Sequence, residues 1–246
     1  MNAKEKINEK DISNKVDTSN LGVEDEFVCW IDMMGTQKMM SESVQKATNH
    51  LFRFHSCILA ALGKNKSVKY YPLMDGIFLT CKDNKTLFNV INKIFKHVSD
   101  IFVSEEVLSK CFIIRGSISY GKVYHGINIS EDICKKLSTN NDYKKTLMVG
   151  MPITQAYISE RYAPPFGLYI HESARIYKGL QGRYYKWFGD YEGAVELKNK
   201  ICNYFEFCGK FRKYLELEQD KINEYKQLVD EQFSDYENFT ADNLSK

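Results

Sequence analysis

The sequence has 246 residues, enough for one large domain or two small ones, and its 43% hydrophobic content supplies a real core. A net charge of +2 lacks the basic excess of a dedicated nucleic-acid binder, and 14 Gly with 4 Pro are too few for a linker-rich chain. No run approaches 18 consecutive apolar residues and the polar first 20 residues do not form a signal peptide, so neither a membrane nor a nucleic-acid partner is expected. The cysteines, at 29, 57, 81, 111, 134, 202 and 208, form no CxxC pair and are odd in number. They read as reduced core thiols, which points to a cytoplasmic protein.

Residues 1–24 are expected to form a flexible arm, polar with isolated Ile7, Ile12 and Val16. Residues 26–32 (Glu-Phe-Val-Cys-Trp-Ile-Asp) predict a first strand that ends in an acid. Over 41–62, Val44, Ala47, Leu51, Phe54 and Ile58 step by three and four, which predicts one amphipathic helix stopped by Gly63. Two apolar runs, 68–73 and 76–81, predict a hairpin with Asp75 at its tip. Lys69 on its first strand reads as a solvated cation. Residues 87–102 predict a second helix. Residues 111–119 predict a strand, with 120–125 pairing back on it through Gly121. The polar stretch 126–145 with Asn140-Asn141-Asp142 reads as a loop. A short strand over 146–149, a helix over 150–161, a strand over 166–170 and a further strand over 184–188 complete this part.

The order centres on βαββαβ, an α+β ferredoxin-like sheet with helices on one face. Residues 25–192 would form this domain. Beyond Gly193, Leu197, Ile201, Tyr204, Cys208, Phe211, Leu215, Ile222, Tyr225 and Val229 make a heptad-like stripe interrupted by Glu218. The helical extension 193–246 either packs on its own domain or forms a dimer seam.

Two acids stand at strand ends, Asp32 and Asp75, and adjacency of the two strands would bring them to one sheet edge. Paired carboxylates without a local cationic partner suit divalent cations. After Asp32, Met33-Met34-Gly35-Thr36-Gln37 forms a turn into a helix, where Gly35 and Thr36 could offer N–H groups to phosphate. Acids for metal beside a loop for phosphate point to a nucleoside triphosphate with Mg²⁺ or Mn²⁺. Either acid alone also reads as an ordinary strand-end or turn residue; the joint pattern carries the inference.

The segment Phe27-Val28-Cys29-Trp30-Ile31-Asp32-Met33-Met34-Gly35 resembles the first signature of class III nucleotide cyclases. Tyr70 to Ile77, Ile114-Arg115-Gly116-Ser117-Ile118-Ser119-Tyr120-Gly121 and Val149 to Tyr157 resemble the next three, in order, over about residues 25–190. Within that superfamily the third motif and the Ala-Tyr ending of the fourth are similar to bacterial pyrimidine cyclases, those of Pycsar anti-phage systems. The resemblance implies cyclisation of UTP or CTP to cUMP or cCMP with release of pyrophosphate, signalling to a downstream effector. It implies two Mn²⁺ or Mg²⁺ ions per site held by Asp32, the Met33 carbonyl and Asp75. Arg115 would contact phosphate or brace the sheet. It also implies a head-to-tail homodimer whose sites are shared, with Tyr71, four residues before Asp75, reading the base. Period two would place 71, 73 and 75 on one face. The Asn and Arg of many purine cyclases fall here on Thr154 and Ile158, which leaves open a catalytically inactive homologue acting as a nucleotide sensor or scaffold.

Overall fold

The computed structural model describes residues 21–189, 191–211 and 219–244. Most of the expected arm, together with Leu215 and Glu218, lies outside them. Strand β1 (Glu24–Met33) is the centre of a seven-stranded sheet. Its continuous apolar run is buried on both faces, as expected of a strand covered twice. It pairs antiparallel with β3 (Gly76–Cys81) on one side and β4 (Ile114–His125) on the other, and β2 (Lys69–Leu73) flanks β3. The path β2-β3-β1-β4 is the ferredoxin-like order that βαββαβ requires. Strand β5 (Met148–Val149) pairs with the far end of β4. Strand β6 (Leu168–Ile170) runs parallel to β4, and β7 (Tyr184–Tyr185) closes that edge.

Phe27, Cys29, Ile31 and Met33 face the main core, which includes residues of α2 (Val44–Leu62) and α3 (Asn84–Ser104). Each fully buried side chain such as Phe54, Ile58 or Ile94 contributes about 1.5–3 kcal/mol relative to exposure. The same core takes α7 (Ala194–Lys210) and α8 (Gln219–Leu244) through Leu197, Ile201, Ile222 and Val229. The described part of the C-terminal stripe, except the exposed Phe211, therefore packs on its own domain. On the opposite face, Val28, Trp30, Phe78 and Val123 form a smaller cluster beneath Ala156 and Ile153 of α6 (Met151–Ser159).

Four sequence expectations are corrected. The helix expected over 41–62 is α2 but starts at Val44, and a separate helix, α1 (Thr36–Glu42), precedes it, because Ser43 turns extended and its hydroxyl accepts the Lys46 N–H as a cap. The two strands expected to meet at Gly121 are one twelve-residue strand, β4. Gly121 has φ +150, and a Cβ there would lie 3.1 Å from the Pro152 ring, so this glycine serves the close approach of α6 rather than a turn. The loop expected over 126–145 contains two short helices, α4 (Glu131–Ser138) and α5 (Asn141–Lys145). Asn140 accepts the Tyr143 N–H, so the Asn-Asn-Asp sequence marks a helix start. The end strand is also shorter than expected: Trp187 and Phe188 leave the sheet and enter the core.

Candidate active site

Asp32 pairs in register with Gly76 of β3 and with Arg115 of β4. The two acids meet because the β2–β3 hairpin folds its turn back beside the end of β1. Met74 adopts φ +54 in that turn. Gly76 must lack a side chain, since a Cβ would lie 2.4 Å from the Trp30 ring and 2.8 Å from the Ile31 carbonyl. Asp75 therefore stands in the turn, beyond the end of β2. The expected period-two alignment of 71, 73 and 75 stops at Leu73.

The Asp32 carboxyl is pushed up to about 7. Burial is the main cause, the negative charges of Asp75 and Glu160 add to it, and the Met33 N–H and Arg115 oppose it. Its Oδ1 atom is buried without a hydrogen-bond partner. A buried acceptor left unsatisfied is costly. Here two further acids act on it electrostatically, so a cation is the chemical complement of the group. The donor set fits Mg²⁺ or Mn²⁺: Asp32 and Asp75 supply hard carboxylate oxygens, and the Met33 carbonyl accepts the Thr36 hydroxyl at 3.2 Å with a lone pair to spare. Among the described residues no group of three or more His, Cys, Asp or Glu side chains is arranged to hold a metal, so the site rests on this pair of acids.

A cleft of about 480 Å³ opens beside Asp32, lined also by Met33, Gly35, Lys38, Arg115, Glu160 and Tyr225. Gly35 adopts φ +79 and opens α1. Thr36 is buried with its hydroxyl turned back to Met33, so only its backbone is available for a phosphate. Arg115 is engaged twice. Its Nε donates to the Glu160 carboxylate, and its Nη1 donates to the Tyr225 hydroxyl at 3.0 Å. Burial pushes the Glu160 carboxyl up and Arg115 draws it back, an opposition that marks a tight, partly dry pair. Glu160 and Tyr225 were not legible as site residues. Glu160 ends a helix pattern, and Tyr225 sat in a stripe whose spacing signalled packing.

Tyr71 lies on the same sheet face as Asp32, opposite Phe78, which itself opposes Trp30. Two strand spacings and two residues separate it from Asp32, about 12 Å. Its hydroxyl is 2.6 Å from His125 Nδ1, and His125 Nε2 is 3.0 Å from Glu26 Oε2. Lys69, expected as a solvated cation, instead donates to Glu26 Oε1 at 2.8 Å. The structure thus gathers Asp32, Met33, Gly35 and Arg115 at one cleft, with Asp75 acting electrostatically on Asp32, and places Tyr71 at a second station on the same face.

No family model and no curated protein matches the sequence. Solved structures do resemble the fold. The guanylyl cyclase Cya2 matches with TM-score 0.50 at 13% identity, over 63% of this chain and 79% of that one. The guanylyl cyclase domain of the RhoGC fusion protein from the aquatic fungus Blastocladiella emersonii gives 0.43 at 15%, over 63% and 84%. A bacterial light-regulated adenylyl cyclase gives 0.49 at 12%, over 65% and 46%. At these identities the likeness, resting on Cya2, is one of fold: the mixed α+β sheet and helices are those of a nucleotide cyclase catalytic domain. No helix among the described residues is long and apolar enough to cross a membrane.

Proposed function

We propose that this chain is a metal-dependent nucleotide cyclase acting on a pyrimidine triphosphate, UTP or CTP. The observation that carries the reading is the buried, unpartnered Asp32 oxygen, under the charge of Asp75 and beside an open cleft, on a cyclase-type sheet. In the reaction the ribose 3′-oxygen attacks the α-phosphorus, the bond from that phosphorus to the bridging β-oxygen breaks, and pyrophosphate leaves with the electron pair. The 3′-hydroxyl proton passes to solvent. Bound Mg²⁺ or Mn²⁺, two per site, would acidify the 3′-hydroxyl and neutralise the triphosphate. Asp32, Asp75 and the Met33 carbonyl would hold these ions. Backbone N–H groups at Gly35 and Thr36 would orient the β- and γ-phosphates, and Arg115 would present positive charge at the cleft floor.

The preference for a pyrimidine, and a role as a cytoplasmic second-messenger source feeding an effector in anti-phage defence, rest on the resemblance of the four motifs. A shared-site homodimer is supported by the face that α6 leaves open. Val149, Met151, Tyr157 and Ile158 are exposed there, as are Leu73 and Met74 on the hairpin, more apolar surface than a solvated face needs. One observation favours a second reading, an inactive nucleotide sensor: Arg115 is already held by Glu160 and Tyr225.

Incubation with each of the four triphosphates and Mn²⁺, followed by chromatography, decides between them. A cyclic pyrimidine product is expected, and its absence with all four substrates rejects the enzyme reading. Mixing Asp32→Ala chains with Tyr71→Ala chains should restore part of the activity, because one site of each heterodimer then carries neither lesion. No recovery in confirmed heterodimers contradicts the shared site.

A further inference from the structure

Where β6 and β7 close the sheet, three tyrosines stand in a row, and each carries an arginine over its ring. Tyr162 lies in the 3₁₀ turn Glu160–Tyr162 after α6, Tyr169 on β6 and Tyr184 on β7. The ring centroids of Tyr162 and Tyr169 are 5.5 Å apart, and those of Tyr169 and Tyr184 6.3 Å apart. The guanidinium carbon of Arg161 is 4.8 Å from the Tyr162 centroid, that of Arg175 5.5 Å from Tyr169 and that of Arg183 5.2 Å from Tyr184, all within cation–π range. Arg161 Nη2 donates to the Tyr162 hydroxyl at 2.7 Å, and Arg175 Nη2 donates to the Tyr169 hydroxyl at 3.1 Å. The Tyr184 hydroxyl oxygen is buried, so the part of that side chain that meets solvent is ring. These contacts hold the guanidinium groups in place but leave their charge whole, because a ring has none to cancel. The other described arginines are neutralised: Arg53 meets Glu105 and Arg115 meets Glu160. Among the described residues no carboxylate pairs with Arg161, Arg175 or Arg183. Glu172 and Glu231 act on His171 and Tyr184 nearby, but neither pairs with an arginine. Three like charges stand side by side, and the fold supplies no anion to relieve them.

We propose that this row is a binding surface for single-stranded nucleic acid, RNA or DNA, separate from the Asp32 cleft and independent of what that cleft does. The phosphates of a strand would take the free N–H edges of the three guanidinium groups. Its unstacked bases would lie on the exposed ring of Tyr162 and on the outer guanidinium planes, since every base has a π-face. The pairing of rings with charges is what selects this partner. An acidic protein surface or an anionic lipid surface would use the charges and leave the rings idle. A duplex keeps its bases stacked inward and offers none to a tyrosine. Arg161, Tyr162 and Arg183 are exposed, so a strand can reach the row without unfolding anything. A net charge of +2 conceals the row, because acids elsewhere in the chain offset it.

The test is fluorescence anisotropy of labelled oligouridylate and oligodeoxythymidylate, each of about twelve nucleotides, titrated with the full chain in chelator. Both strands are expected to bind, and tighter binding of one shows which sugar the row prefers. One phosphate per arginine predicts a slope of log K against log salt of about −2. Arg161→Ala with Arg183→Ala should weaken binding at least about tenfold and flatten the slope to about −0.7. Tyr162→Ala should cost about tenfold with the slope unchanged, because stacking releases no counterions. Lys64→Ala with Lys66→Ala, exposed beside β2 at the opposite edge of the sheet, should change nothing. Equal loss in that lysine variant would mean diffuse charge and overturns the proposal. So does absence of binding, a duplex of the same length bound as tightly, or full affinity in Tyr162→Ala. Polyglutamate that competes as well as the strand would assign the row to an acidic protein. Vesicles containing phosphatidylserine that compete as well would assign it to a membrane. Self-association lost in the double arginine variant, with strand binding kept, would assign it to a second copy of this chain. Each of these three outcomes also overturns the proposal. None of the readouts requires a cyclic product, so this inference and the cyclase reading stand or fall separately.

Discussion

Strand β1 carries a carboxylate near each end of one face, Glu26 buried and Asp32 half-buried, and the two have opposite fates. Glu26 is met by His125 and Lys69 and held down at about 2; Asp32, six residues further on, keeps an unpartnered oxygen and is pushed up to about 7. Same strand, same face: the difference lies in what the neighbours supply. Around Glu26 the fold brings two donors. Around Asp32 it brings two more acids and an Arg that Glu160 and Tyr225 already hold. A carboxylate whose partners come from the protein stabilises the fold or aligns a neighbour. One that the protein declines to satisfy is prepared for something from outside, and mutation can separate the two cases.

The largest expected effect is catalytic. Asp32→Ala and Asp75→Ala should each abolish cyclic product, read by chromatography, with far-UV circular dichroism unchanged. Turnover in either variant breaks the contrast at the Asp32 end. At the other end the effect falls on stability. Glu26→Ala leaves the buried His125 ring without its Nε2 partner and should lower unfolding free energy by about 1–3 kcal/mol in urea titration. A loss below about 1 kcal/mol would mean that the network is not structural.

The pH dependence should run in opposite senses at the two ends. The Glu26 carboxyl titrates lower in the folded chain than in the unfolded one. Its contribution is complete above about pH 4.5 and is lost as pH falls through about 2. The Asp32 carboxyl titrates higher when folded, so in metal-free protein stability falls as pH rises from about 4 through about 7. Asp32→Asn removes that second penalty. It should unfold at higher denaturant than wild type at pH 8 in chelator, by up to a few kcal/mol, while the two coincide near pH 4. Coincidence at both pH values would show that Asp32 is not desolvated.

The smallest effect sharpens the picture of the cleft. Tyr225→Phe removes one hydrogen bond to Arg115 and should cost about 0.5–1.5 kcal/mol of stability. Raised turnover in that variant would mean that Tyr225 restrains Arg115. Lowered turnover would mean that it holds Arg115 in a productive place.

Much of this arrangement was legible along the chain. The apolar run ending in Asp32, the hairpin break at Asp75 and the two stepped helices fixed the ferredoxin-like order, because period and turn chemistry are local properties. The contrast between the two ends of β1 was not. Glu26 opened a predicted strand and Lys69 lay in another, and nothing in either segment announced that the two would meet across a 43-residue separation. Arg115 was visible in its motif, but its partners stand 45 and 110 residues away, beyond the reach of any spacing rule. Gly121 and Asn140 misled for a different reason. Each has several structural uses: Gly121 makes room for Pro152, a tertiary contact, whereas Asn140 caps a helix through a local bond to Tyr143.

The Tyr225–Arg115 contact also has a temporal meaning. Chains emerge N-terminus first, and the whole sheet, from β1 to β7, is synthesised before α8. A nascent chain can therefore pair all its strands and bring Asp32 and Asp75 together while one wall of the cleft is still missing. Tyr225, which lines that cleft from α8, is made after every strand of the sheet, so the pocket is finished only once that helix has docked.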